Sequence, residues 1–414
     1  MKLTYDLPDH YLSELSDFPF ESNLEDWEAF GVQTLSIRKG NSRHPVIFVK
    51  APHSEKTQAY AIKETTPALA YKEWKNYIKL KELEIETLTP VGVVVREDEE
   101  IAVETPVGVM YEKNEVAYLI TLLEETVLPE SYLFSYRLAR GARIEIFNAI
   151  SELFANCHAK GVHWGDASLE NVLVKFKREE YTLGKKRRLT AILSDTETTE
   201  IHPSLSLRSR ESDIEFFFES MLWLDEEFTK RGIPRDRSIT SEDIEYLKNR
   251  YNFLYSIFEA HKAFDKLTSF RSERHFGKFR SLSHPKVLLK HLEEHKWYLS
   301  ERAKKEVTLR EATIDWYVKL FLPLRETLSQ SRFATFFPDK TELELYIEIM
   351  ENKYYLSEKK GKDIGLSAAM QDYCNRFGVE KDFISVMKRM FKDLISITKD
   401  YSSLPMTSLQ DKGA

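Results

Sequence analysis

Through the first third of the chain, apolar and polar positions follow a strand-like pattern broken by one helical stretch. Residues 32–38 (VQTLSIR) and 45–51 (PVIFVKA) predict two strands around Lys39-Gly40-Asn41-Ser42, a hairpin-tip composition. Residues 59–63 (AYAIK), 91–95 (VGVVV) and 116–123 (VAYLITLL) predict three more. From Pro67 the spacing becomes helical, with Leu69, Trp74, Tyr77, Ile78 and Leu80 able to share a face. The middle third predicts an amphipathic helix near 143–160 and short strands at 172–176 and 189–194. Between those strands, Lys185-Lys186-Arg187-Arg188 reads as a solvated hairpin. From about residue 213 onward nearly everything reads as helix.

That helical region repeats. His295-Lys296-Trp297-Tyr298-Leu299-Ser300-Glu301 returns 57 residues later as Asn352-Lys353-Tyr354-Tyr355-Leu356-Ser357-Glu358. The register continues through Lys305/Lys362, Leu309/Leu366, Ala312/Ala369 and Asp315/Asp372. Each unit, near 286–317 and 343–374, predicts a helix, a polar corner and a second helix; two stacked units would bury a shared seam. Trp297, Tyr298, Trp316, Tyr354 and Tyr355 are expected in the core. A helix–turn–helix DNA reader has a similar outline. However, residues 281–414 carry 22 Lys/Arg against 20 Asp/Glu, so the basic footprint is missing.

Composition narrows the classes. With 42% hydrophobic, 12% aromatic and 31% charged residues, the 414-residue chain can bury a large core, which excludes wholesale disorder. A net charge of −7 argues against a nucleic-acid coat or a polybasic membrane binder. Two cysteines, Cys157 and Cys374, cannot build a zinc cluster or a disulfide scaffold. No apolar run reaches membrane-helix length, and the acidic, proline-broken start lacks signal-peptide character. The expected location is a reducing cytoplasm.

The segment that carries chemistry is Val162-His163-Trp164-Gly165-Asp166-Ala167-Ser168-Leu169-Glu170-Asn171. An Asp and an Asn five apart in a helix-to-strand loop suit phosphoryl transfer. The carboxylate orients or deprotonates an acceptor hydroxyl, and the amide oxygen holds a metal ion. Upstream, Lys63 ends a strand and Glu73 lies in the following helix, where it could aim the ammonium; Glu64 and Glu82 compete for that role. Downstream, Ala191-Ile192-Leu193-Ser194-Asp195 is an apolar strand ending in a carboxylate suited to hard Mg²⁺. Each part alone is weak; their order is the signal. His163 and Trp164 are expected to shape the loop.

Several segments resemble an uncharacterised bacterial family. They are Gly40-Asn41-Ser42-Arg43-His44, YAIKE around Lys63, WGDASLEN at 164–171, SDTETTEIHP at 194–203 and the Arg210-to-Asp213 step. Members of that family join a lipopolysaccharide-kinase-like domain to a C-terminal domain of unknown function, which LYIEIMENKYYLSEKKGKDIGLSAA (345–369) also resembles. The resemblance implies an α+β, protein-kinase-like bilobal domain over residues 1–235, with a small lobe at about 20–125 and a large lobe at about 126–235. A mostly helical domain would follow at 236–414. It further implies ATP and Mg²⁺ as cofactors. Lys63, Gly40, Ser42, Arg43 and Leu123 would contact nucleotide; Asn171, Asp195 and Glu197 would contact metal. Asp166, Lys63 and Glu73 would form the catalytic set, and Asp213 would brace the catalytic loop.

The chain departs from the pattern in places. It has no G-x-G-x-x-G, since Gly40 is the only glycine of the first hairpin, so Ser42, Arg43 and His44 would have to meet the phosphates. Gly165 stands where many protein kinases have the arginine that senses a phosphorylated loop. Thr199 and Ala167 replace a family Gly and Cys. The leading expectation is an ATP/Mg-dependent phosphotransferase on a hydroxyl acceptor, whether small molecule, glycan or protein. One alternative is a nucleotide-binding pseudokinase that docks a protein partner through its helical domain. Another is AMP transfer on the same fold.

Overall fold

The structure is a computed structural model. It describes residues 1–378 except 36–43, 52–57, 99–100, 106–107, 113–114, 124–126, 130–133, 135–137, 139, 182–183, 233–238, 278, 280, 331–335 and 338–339. In chain order the first elements are β1 (Lys2–Asp6), α1 (Asp9–Leu15), β2 (Val46–Lys50), β3 (Ala59–Thr65) and α2 (Pro67–Glu82). Then come β4 (Thr89–Glu97), the hairpin β5 (Ile101–Thr105) and β6 (Gly108–Glu112), and β7 (Glu115–Leu122). Five of these strands form one antiparallel sheet in the order β1-β4-β7-β3-β2. Its register sets Lys63 between Val46 on β2 and Leu119 on β7.

Both faces of this sheet are covered. Helix α2 packs Ala70 and Tyr77 against Val93, Val95, Ala117 and Leu119. On the other face, Leu15, Phe18, Phe20, Leu24 and Trp27 from the N-terminal segment cover Tyr60, Ile62, Val94, Tyr118 and Ile120. Burial on both sides explains why VGVVV reads as a continuous apolar run rather than an alternation. A bulge between Pro90 and Gly92 brings Val91 and Val94 into the same core. Strand β1 was outside the predicted strands. It lies at the sheet edge with only Leu3 and Tyr5 half-buried, so its hydrophobic signal is slight.

Helix α2 also differs from its predicted face. The buried stripe is Ala70, Glu73, Tyr77 and Leu80, and Ile78 is exposed. The spacing is helical, as expected, but a carboxylate occupies one apolar-face position.

The first unit continues through β8 (Val127–Pro129), α3 (Arg140–Ala159) and β9 (Val162–His163). Next are the long hairpin β10 (Val172–Tyr181) and β11 (Gly184–Leu193), β12 (Glu200–Ile201) and α4 (Leu207–Lys230). Thirteen of the twenty α3 residues are buried, which makes it the central helix of this part. Two compact units emerge. The first comprises Met1–Phe176 and Leu189–Lys248; the second comprises Lys177–Arg188 and the described chain from Asn249 onward. The division falls inside α5 (Ser241–Thr268).

The second unit holds α6 (Ser272–Phe276), α7 (His284–Ala303), α8 (Leu309–Trp316), a π-helical turn at Tyr317–Phe321, and α9 (Leu322–Gln330). It ends with α10 (Glu342–Lys360) and α11 (Gly365–Phe377). The 57-residue offset relates contacts as well as letters. Ser300 Oγ accepts from the Val307 N–H (3.1 Å), and Ser357 Oγ accepts from the Ile364 N–H (3.3 Å). Lys296 pairs with Glu306 (3.5 Å), and Lys353 pairs with Asp363 (3.0 Å). Both corners turn through a left-handed residue, Lys304 (φ 49°) and Gly361 (φ 64°).

The aromatic expectation is corrected. Trp316 is buried against Phe321 and Tyr346, its indole N–H donating to the Tyr346 hydroxyl (2.7 Å). Trp297, Tyr298, Tyr354 and Tyr355 are 59, 64, 72 and 56% exposed. The inward sides of α7 and α10 are taken by Leu288, Leu292, Leu343, Leu345, Ile347 and Ile349, so the aromatic pairs face outward.

Candidate active site

Lys63 is placed by β3 and is mostly buried. Its Nζ lies 2.9 Å from Glu73 Oε2, 3.3 Å from Asp195 Oδ2 and 3.5 Å from Glu197 Oε2. Burial works against its charge, but the three carboxylates outweigh this and raise its pKa above that of an ordinary lysine. Glu73 is only 2% exposed. Burial, followed by the nearby Asp195 charge, pushes its pKa up to about 7, although Lys63 and the Tyr77 hydroxyl pull the other way. Tyr77 sits 2.9 Å from Glu73 Oε1 and also donates toward the Ser194 carbonyl.

The Trp164–Asn171 loop is held by a buried carboxylate. Asp213, on α4 and fully buried, accepts from the backbone N–H of Trp164 (2.7 Å) and of Gly165 (2.8 Å). His158 Nε2 lies 3.2 Å from the same carboxylate; burial lowers the His158 pKa, so a neutral ring donates there. Gly165 has φ +83°, a left-handed conformation in which a side chain would be strained, and its Cβ position lies 3.1 Å from Thr198. This accounts for a glycine ahead of Asp166. The Asp166 carbonyl accepts from Ser168 N–H (2.9 Å) and from Asn171 Nδ2 (3.0 Å), closing the loop into the 3-10 turn Leu169–Asn171.

Asn171 and Asp195 are tied through Ser194, whose N–H (3.0 Å) and hydroxyl (2.9 Å) both donate to the Asn171 carbonyl. The Trp164 indole donates to the Asp195 carbonyl (3.0 Å), so this buried tryptophan shapes the loop. Glu197 folds back, its N–H donating to Asp195 Oδ1 (3.0 Å) and its carboxylate lying 3.4 Å from His44 Nε2. Leu123 follows β7, with its N–H donating to the Ala59 carbonyl (2.9 Å). Gly40, Ser42 and Arg43 lie outside the described residues.

Carboxylate oxygens of Glu73, Asp195 and Glu197 all lie within 4.8 Å of one another. Glu73 is committed to Lys63 and Tyr77, which leaves the carboxylates of Asp195 and Glu197 as all-oxygen donors. That chemistry fits Mg²⁺ and suits softer metals poorly. The spacing pattern did not single out Asn76, Tyr77 or Thr196, which hold α2 against the Asp195 loop. Their partners are 117 to 123 residues away in sequence, beyond any local signal.

The second unit contains a grouping that resembles a hydrolytic triad. Ser272 Oγ donates to Asp265 Oδ1 (2.5 Å), and His261 Nδ1 donates to Ser272 (2.9 Å). His261 Nε2 accepts from the Phe279 N–H (2.6 Å), and Ser272 is fully buried, so this chain braces a corner.

A lysine on a central strand, a partner glutamate on the next helix, an Asp-x4-Asn loop and a strand-end aspartate converge in the first unit. Together with the antiparallel sheet ahead of a helical part, they define a kinase-like fold. A family model described as "Domain of unknown function (DUF4032)" matches residues 333–377, the region of α10 and α11. No curated protein matches the chain. Among solved structures, the chain is similar to one titled "WaaP in complex with acyl carrier protein". The identity is 14%, with 64% of this chain and 94% of that chain covered and a TM-score of 0.38. It is also similar to the Rio2 kinase from Chaetomium thermophilum, at 12% identity, 55% and 75% coverage, and a TM-score of 0.29.

Proposed function

We propose that the first unit is an ATP- and Mg²⁺-dependent phosphotransferase acting on a hydroxyl acceptor. The observation that carries this reading is the Lys63 ammonium held between Glu73 and Asp195 at 2.9 and 3.3 Å. In this reading Lys63 binds the α- and β-phosphates, and Glu73 keeps the ammonium aimed. Asp195, Asn171 and Glu197 hold Mg²⁺, which supplies charge neutralisation across the phosphates when bound. Leu123 would border the adenine, and the Gly40–Arg43 tip would approach the phosphates. Asp166 orients the acceptor and takes its proton as the new P–O bond forms and the bond to the ADP oxygen breaks. Catalysis then rests on positioning and electrostatics. The free cysteines, Cys157 buried and Cys374 half-buried, suit a reducing cytoplasm.

Thermal unfolding with ATP and Mg²⁺ tests the reading. A ligand at a hundred times its Kd stabilises the native state by about 2.7 kcal/mol. The parent is expected to show a Mg²⁺-dependent rise in Tm that Asp195→Ala loses. No rise at millimolar ATP would overturn the nucleotide site. Release of labelled γ-phosphate that depends on Asp166 would then separate phosphotransfer from nucleotide binding alone and from AMP transfer.

A further inference from the structure

The Lys63–Glu73 pair is useful only while α2 stays against the Asp195 loop, so what holds α2 there decides whether the site needs a switch. Besides the Tyr77 hydroxyl, which donates to the Ser194 carbonyl, three sets of contacts hold it. The Asn76 side-chain amide, one turn after Glu73, donates to two carbonyls at once, Thr196 (2.8 Å) and Thr199 (3.1 Å). Those carbonyls converge because the Thr199 N–H closes a turn on Thr196 (3.1 Å). In the opposite sense, the buried Thr196 hydroxyl donates to the Glu73 carbonyl (3.2 Å). At the C-terminal end of α2, Lys160 Nζ donates to the Leu83 carbonyl (2.5 Å), and Asn156 donates to the Glu84 carbonyl (3.4 Å).

The same turn reaches the acceptor loop. Thr198 Oγ1 donates to the Trp164 carbonyl (2.8 Å), and Glu200 pairs with His163. The helix, the metal loop and the acceptor loop are therefore joined by hydrogen bonds through residues 196–200. Asp195 is followed closely by Ser206, the N-cap of α4, so there is little chain for a separately ordered regulatory segment. Thr196 and Thr199 are 0 and 2% exposed, closed to a modifying enzyme, and the exposed Thr198 has its hydroxyl committed to the Trp164 carbonyl.

We infer that Asn76 is a positioning residue that keeps the Lys63–Glu73 pair assembled permanently, so that the nucleotide site needs neither phosphorylation nor a partner to form. This rests on the nucleotide-binding reading given above and adds its regulation: the site is always on, and control must act on acceptor supply or access. Asn76 donates to the Thr196 and Thr199 carbonyls and acts through that turn, whose Thr196 hydroxyl bonds the Glu73 carbonyl.

The test measures MgATP binding by calorimetry on the full chain, untreated and after phosphatase treatment. Variants are Asn76→Ala, the isosteric Asn76→Asp, Lys63→Met, and Asn76→Ala with Lys63→Met. Asn76→Asp keeps the volume but sets a carboxylate against the two carbonyls in place of both donors, so it disrupts the hydrogen bonds without opening a cavity. Circular dichroism reports whether each variant is folded. The parent should bind equally with and without phosphatase. Each Asn76 variant should lose about tenfold in affinity, the scale of one to two neutral hydrogen bonds. In the Asn76→Ala background, Lys63→Met should cost much less than in the parent, a coupling that a merely structural role would not produce. A parent that binds no MgATP overturns the nucleotide reading and this inference with it. A parent that binds, with Asn76 variants matching it or with additive losses, overturns the inference alone. So does a phosphatase-treated parent that loses binding.

Discussion

The Lys63 environment combines one ammonium with three carboxylates, one of them almost fully buried. Glu73 has its pKa raised to about 7 in the native state, against 4.5 as its ordinary value. The folded protein therefore binds this proton more tightly than the unfolded chain does. The resulting stability is present at low pH and is lost as pH rises from about 4.5 to about 7, up to about 3 kcal/mol. Glu73→Gln cannot titrate. Its Tm relative to the parent should rise across that window and level off above it, read by thermal melts at several pH values. A difference that stays flat with pH would show that Glu73 is ionised throughout. At this scale much of the site was legible. Lys63 lies within β3, two residues before its end, and Asp166, Asn171 and Asp195 lie in short loops beside strands, where residue order narrows their chemistry. Asn76 and Tyr77 were not legible, because an amide or hydroxyl on a helix gives no sign of which distant carbonyl it will meet.

At the scale of elements, hydrophobic period identified β2, β3, α2, β4, β7 and α3 because each contributes apolar residues to a core. It failed where burial is partial or supplied from far away. Strand β1 buries little of itself, and the exposed aromatics of α7 and α10 look like core residues until the inward positions are filled by others. The N-terminal segment illustrates the same point. Trp27 is completely buried, stacked on Phe18 (5.5 Å) and close to Phe20 and Tyr118, although its own neighbours in sequence are acidic. Trp27→Ala should therefore cost about 3–5 kcal/mol in chemical denaturation. A loss below about 1 kcal/mol would mean that this segment contributes little to the sheet it covers.

At the scale of the whole molecule, the two units have separate cores and only the first carries the Lys63 site. Calorimetry of the full chain is expected to resolve two unfolding transitions, with MgATP raising only one of them. A single transition that shifts as a whole would show that the units unfold together. Resemblance at the level of motifs reached both parts, since the kinase-like elements and the repeat each have a local signature. The division inside α5 has none, because a helix shows no change of period where the packing around it changes.

The edge position of β1 has a consequence for how the chain is made. Lys2–Asp6 is synthesised well before its partner, Val93–Glu97 on β4, and β4 in turn needs β7, which ends at Leu122. At about 5–20 residues per second, the first strand waits several seconds for a neighbour. Its alternation of exposed Lys2, Thr4 and Asp6 with half-buried Leu3 and Tyr5 disfavours pairing with other chains during that interval, and its docking then covers the open edge of the valine-rich β4.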